Sequence, residues 1–133
     1  MSDLSDAFLT RAQESLLGAE SEFVNGRYNN VGNRAYYACF QAAIAALDLA
    51  DIRPSAGKSD WDHAFVQSQF GGVLIGRRKR YPSGLRNILP EGLLLRGQAA
   101  YKQAPISRTQ AARMLERART FVDTVSRSPR RTR

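Results

Sequence analysis

Apolar residues return every three or four positions through most of this chain, and no run alternates with period two, so the sequence predicts helices and no strand. Phe8, Ala12, Leu16, Ala19 and Phe23 mark a first helix from about Leu4 to Asn25, stopped by Asn25-Gly26. A second spans about Tyr28 to Ala50. Val31, Ala35, Ala38, Ala42 and Ala45 form one stripe, small enough for a neighbouring helix to approach closely. Asn30, Asn33, Arg34, Tyr37 and Gln41 form a separate polar stripe, and of Tyr36 and Tyr37 one is expected in the core and one on that stripe. Pro54 ends the helix, and Ser55 to Ser59 reads as a loop.

A third helix is expected from about Ser59, with Ser59 as its cap and Asp62 in an acidic first turn. Trp61, Phe65, Val66 and Phe70 give it apolar surface, and Gly71, Gly72 and Gly76 weaken its end. Arg77 to Gly84 reads as a basic loop. The fourth helix, about Leu85 to Lys102, carries Leu89, Leu93, Leu94 and Tyr101, with Pro90 restarting or kinking it. Ser107-Arg108-Thr109-Gln110 matches a capping box, and Ala111, Met114, Leu115, Ala118, Phe121, Val122 and Val125 follow at 3/4 spacing. Val73-Leu74-Ile75 is too short for a strand. The expected fold is all-α, an antiparallel bundle of four to five helices in one domain over residues 1–127, with 128–133 a disordered basic tail.

The 133 residues suit a single domain, and a hydrophobic share of 43% is enough for a modest core. No stretch is apolar enough to span a membrane, and acidic residues precede any apolar run at the N-terminus, unlike a secretory signal. Cys39 is the only cysteine and His63 the only histidine, so neither a disulfide framework nor a metal site is expected. The expectation is a soluble cytoplasmic protein without cofactor. The net charge of +8 is unevenly spread. Residues 1–76 hold 5 basic and 9 acidic residues; residues 77–133 hold 15 basic and 3 acidic. A basic C-terminal half suits a polyanion or an acidic partner, or simply a solvated arginine-rich face. Within it, Arg77, Arg78, Lys79 and Arg80 are candidate contacts to a phosphate backbone, or a solvated loop.

The run Asn33-Arg34-Ala35-Tyr36-Tyr37-Ala38-Cys39-Phe40-Gln41-Ala42-Ala43 resembles the second-helix signature of the HEPN family, small helical proteins of prokaryotic toxin–antitoxin and defence systems. The segment from Glu20 to Tyr28, the His63-Ala64-Phe65-Val66 segment, Leu95-Arg96-Gly97-Gln98-Ala99-Ala100-Tyr101 and the closing helix are similar to the family's in the same order, over roughly residues 10 to 126. The resemblance implies a helical bundle that forms a homodimer, pairs with a nucleotidyltransferase-type antitoxin and acts on RNA as a metal-independent endoribonuclease. It implies a phosphate-binding role for Arg96, which by its residue type could equally be a structural arginine bonding loop carbonyls. A guanidinium fork can hold the scissile phosphate, and an imidazole can move the ribose or leaving-group proton. In the family a histidine follows that arginine; here Tyr101, Lys102 and Gln103 stand in its place, and Ala100 replaces a common aspartate. His63 is then the candidate for proton transfer, or a capping or packing histidine. Tyr101, Tyr37, Asn33 and Arg34 are the remaining candidates to shape the site. A non-catalytic module binding a nucleotide, RNA or an acidic protein is the alternative.

Overall fold

The structure, a computed structural model, describes residues 3–55, 60–101 and 104–128. Five α-helices appear and, among the described residues, no strand: α1 (Asp3–Val24), α2 (Tyr28–Leu49), α3 (His63–Ser68), α4 (Ile88–Tyr101) and α5 (Arg108–Arg127). A π-helical segment, Gln69–Arg77, continues α3, and a 3-10 turn, Ser83–Leu85, precedes α4. The all-α bundle expected from the sequence is the fold observed.

Asp3 and Asp6 place negative charge in the first turn of α1, where the helix dipole favours it. The helix stops where Asn25-Gly26 predicted. Gly26 adopts φ +74, Arg27 N–H donates to Glu22 O at 2.9 Å and Gly26 N–H to Phe23 O at 3.1 Å. This paired arrangement satisfies the last carbonyls and needs a residue free to enter the left-handed region. The three-residue connection folds α2 back along α1.

Helix α2 is the centre of the molecule, with α1, α4 and α5 packed on it. The predicted alanine stripe, Val31, Ala35, Ala38, Ala42 and Ala45, is buried throughout. Small side chains there admit α5, whose Phe121, Met114 and Leu115 are all buried. The capping box at Ser107 is present in both directions, with Ser107 Oγ accepting from Gln110 N–H and Gln110 Oε1 from Ser107 N–H. Before it, Ile106 N–H donates to Asn29 Oδ1 at 2.8 Å, and its side chain rests so tightly on Gly32 that a Cβ there would lie 2.5 Å from it. Tyr36 is fully buried and Tyr37 half-buried, the division expected.

Other boundaries differ from expectation. Helix α3 starts at His63, not near Ser59: Asp62 is its cap, extended in backbone, and its carboxylate accepts Phe65 N–H at 2.8 Å. Ser59 lies outside the described residues. Gly71, Gly72 and Gly76 do not unravel the helix but widen it into nine residues of π-helix, a rare geometry at this length. Phe70 anchors that segment, its ring centroid 4.9 Å from Phe121 and 5.4 Å from Tyr81. Arg77 is therefore the last helical residue, not the first of a loop. The helix expected from Leu85 starts afresh at Ile88 after the 3-10 turn, with Pro90 as the third residue of α4, where an amide has no helical acceptor to lose. In α1 the fully buried edge runs through Ser5, Leu9, Ala12 and Ala19, while Leu94, expected to pack, is 76% exposed. Ser128 is not part of a loose tail: its N–H and hydroxyl both bond Val125 O, and its hydroxyl meets that of Tyr81. Residues 129–133, the rest of the expected tail, lie outside the described residues.

Candidate functional site

The polar stripe of α2 does not face open solvent along its whole length. Over its first two turns it is overlooked by α4, and there Arg96 reaches across to it. Arg96 Nε donates to Asn33 Oδ1 at 2.7 Å, and its guanidinium carbon lies 5.0 Å above the Tyr37 ring centroid. These contacts hold the plane of the guanidinium while using only Nε. Nη1 and Nη2 have no acceptor among the described residues, and no carboxylate lines the space around Arg96 there. A planar cation held this way presents its fork to a phosphate or carboxylate.

His63, as the first residue of α3, comes to the same place from the other side. Its Nδ1 shares a 2.6 Å hydrogen bond with Tyr36 Oη. Its ring lies 4.8 Å from Phe40 and 6.4 Å from Tyr37, centroid to centroid. Tyr37 is thus the ring that Arg96 and His63 have in common. Nε2 has no protein partner among the described residues. Burial pushes the Tyr36 hydroxyl up to about 12, with Gln67 and Arg96 moderating the rise. Tyr36 therefore stays a neutral phenol through the physiological range and orients the imidazole without adding charge. Cys39, fully buried nearby on α2, has its thiol pushed up by the same desolvation and is no nucleophile.

Asn33, His63 and Arg96 line one open cleft of about 590 Å³, whose walls are completed by Asn29, Leu93 and the small residues Gly97, Ala99 and Ala100. No carboxylate lines it. Two other recesses, of about 410 and 240 Å³, contain Glu91, whose carboxylate is already paired with Arg117. Among the described residues no cluster of potential ligands would hold a metal ion, and no helix is long and apolar enough to cross a membrane.

Of the residues singled out from sequence, Asn33, Tyr37, His63 and Arg96 are brought together. Arg34 is not: its side chain lies along Gly18 of α1, which a Cβ would approach to 3.1 Å. Tyr101 ends α4, and its side chain lies outside the described residues. Arg77, Arg78, Lys79 and Arg80 sit apart from the cleft. Arg78 donates to Ala50 O and Lys79 to Gly76 O, while Arg77 and Arg80 have no side-chain partner among the described residues. The C-terminal half is uneven in this respect, since Arg117, Arg119 and Arg127 are all matched by carboxylates. Sequence reasoning missed Tyr36 as the partner of His63, for which there was no local signal. It also missed Asn29, which precedes Asn33 by one helical turn and was legible in principle.

No protein-family model matches the sequence, and no curated protein matches it.

Proposed function

We propose that this protein acts on single-stranded RNA through the cleft shared by Arg96 and His63, as a HEPN-type endoribonuclease that needs no metal. The observation that carries this reading is the Arg96 guanidinium, fixed by Asn33 and Tyr37 with its fork unused, in a carboxylate-free cleft that also contains the chain's only histidine. In this reading Arg96 binds the non-bridging oxygens of the scissile phosphate and stabilises the charge that grows on them. The ribose 2′-oxygen attacks phosphorus, its proton passing to water. The bond to the 5′-oxygen breaks, and that oxygen takes a proton from Nε2 of protonated His63, whose Nδ1–H is held by Tyr36 Oη. Homodimer formation, a nucleotidyltransferase-type antitoxin and a cytoplasmic setting belong to the same proposal and follow from the resemblance.

A second reading, a non-catalytic module for a nucleotide, RNA or an acidic protein, draws on two observations. His63 is clasped among Tyr36, Tyr37 and Phe40, as a packing residue would be. The histidine expected near the end of α4 is absent. Cleavage of single-stranded RNA in the presence of a chelator separates the two. The catalytic reading expects cleavage, impaired in Arg96→Lys and reduced about 10²–10⁴-fold in His63→Ala per folded molecule. A lower melting temperature of His63→Ala with an unchanged rate makes His63 structural. No cleavage, with Arg96→Ala altering only binding, leaves the second reading in place.

A further inference from the structure

Beyond the Arg96 cleft, α3 and the π-helical segment face the turn that leads into α4 across a gap, with no extended contact between α3 and α4. A second open groove, of about 620 Å³, occupies this gap. It adjoins the first. Ala64 lines it where His63 lines the cleft, and Pro90 lines it one turn of α4 before Leu93. At its far end stands Arg86, exposed and with no carboxylate or hydrogen-bond partner among the described residues. The groove, like the cleft, has no carboxylate in its lining. Arg77, also without a side-chain partner among the described residues, follows Gly76, against which the Arg86 guanidinium lies.

The floor of this groove includes glycines of the π-helical segment. Gly76 is accounted for from within, since a Cβ there would lie 3.3 Å from Gly71 O, but Gly71 and Gly72 are not. Gly72 has an ordinary φ, and a Cβ there would meet nothing within 4 Å. A Cβ on Gly71 would make only an ordinary 3.6 Å contact with Arg86 Cγ. Alanine fits both places and is favoured over glycine in a helix. Glycine is what a helix surface needs where something from outside must approach the backbone closely.

We infer that this groove is a second phosphate subsite for the same RNA strand, with Arg86 as its cation and Gly71 and Gly72 as the surface that the strand lies against. The inference rests on the RNA reading proposed above and extends it. Arg86 lies in the turn two residues before α4 and Arg96 within α4, ten residues later, each lining one of two neighbouring recesses. An unpaired strand can follow such a recess between two cations, whereas the paired bases of a duplex cannot lie against its floor. A positive groove that tracks a backbone is the usual device for single strands.

The test compares two ligands on the full chain by fluorescence anisotropy: a 2′-O-methyl oligouridylate, which resists attack by its own 2′-oxygen, and a 2′-O-methyl uridylyl dinucleotide. The dinucleotide is short enough to fill the Arg96 cleft alone. Wild-type protein is expected to bind the oligonucleotide more tightly. Arg86→Gln is expected to weaken oligonucleotide binding and lower the magnitude of its log–log salt slope by about 0.7, one phosphate on a single strand. Gly72→Leu, which fills the groove floor, is expected to weaken the oligonucleotide, keep dinucleotide affinity and leave the melting temperature near wild type. Equal affinity for both ligands in the wild type overturns the second subsite. So do unchanged oligonucleotide affinity and slope in both Arg86→Gln and Gly72→Leu while Arg96→Ala weakens both ligands. If Gly72→Leu does not fold, Arg86→Gln decides alone. Failure of the parent reading looks different: wild type binds neither ligand, or Arg96→Ala changes neither affinity. Poly-glutamate binding that both groove variants weaken, with oligouridylate unaffected, would overturn the inference and give the groove to an acidic polypeptide.

Discussion

Around α1, α2 and α5 the helix faces close on one another; between α3 with its π-helical extension and α4 they stay apart. The closed side is built from the alanine stripe of α2 and the buried face of α5, which includes Phe121 and Met114. The open side has Leu94 exposed, glycines with space above them, and cations without acidic partners. Both sides share α2, whose buried face builds the core and whose polar stripe forms one wall of the cleft. Stability and ligand chemistry therefore fall mostly on different residues of one bundle, with Tyr36, buried and bonded to His63, common to both, and substitutions should sort accordingly.

The largest expected effect is on the closed side. Phe121→Ala should cost about 3–5 kcal/mol in denaturant unfolding, the usual cost of emptying a packed aromatic site. Leu94→Ser on the open side should change stability by less than about 0.5 kcal/mol. Similar losses at both positions would erase the contrast.

Next in size is the alkaline limit set by Tyr36. The phenol has a folded value of about 12 against an ordinary value near 10, so the folded state disfavours its ionisation. The unfolded chain gains by losing that proton first, so stability is retained below about pH 10 and falls as pH rises toward 12. The shift is worth on the order of 2–3 kcal/mol at the alkaline end. Cys39 pulls in the same direction from its own raised value, so the difference between wild type and Tyr36→Phe isolates the phenol. A melting temperature measured against pH should fall less steeply in Tyr36→Phe, and parallel curves would remove Tyr36 from the argument.

Ser107→Ala comes third, since it removes one half of the capping box and should cost about 1 kcal/mol by thermal or chemical unfolding. A cost near zero would mean that Asn29, through Ile106 N–H, holds the start of α5 without it.

The closed side was the more legible in sequence. The stripes of α2 and α5 are local patterns with a helical period, and the buried residues of α5 are those the spacing named. The Gly26 stop and the Ser107 box are local too. The π-helical segment was not legible, because glycine reads equally as a helix breaker and as an open surface, and only the neighbouring elements decide. Ser59 and Asp62 were both chemically fit to cap α3, and Asp62 carries the bond to Phe65 N–H. The cleft was half legible. Asn33, Tyr37, His63 and Arg96 carried recognisable chemistry. Their meeting depends on contacts between residues 27 and 63 positions apart, which no helical period encodes.

His63 is the only histidine in the chain, so its ring protons give one unambiguous pair of NMR signals. Titrating the protein with the 2′-O-methyl uridylyl dinucleotide should shift those signals in a saturable way. In Arg96→Ala the same titration should leave them in place while the rest of the spectrum stays folded. Ring signals that do not move in wild-type protein at saturating dinucleotide, or that move equally in Arg96→Ala, would contradict a phosphate site shared by Arg96 and His63.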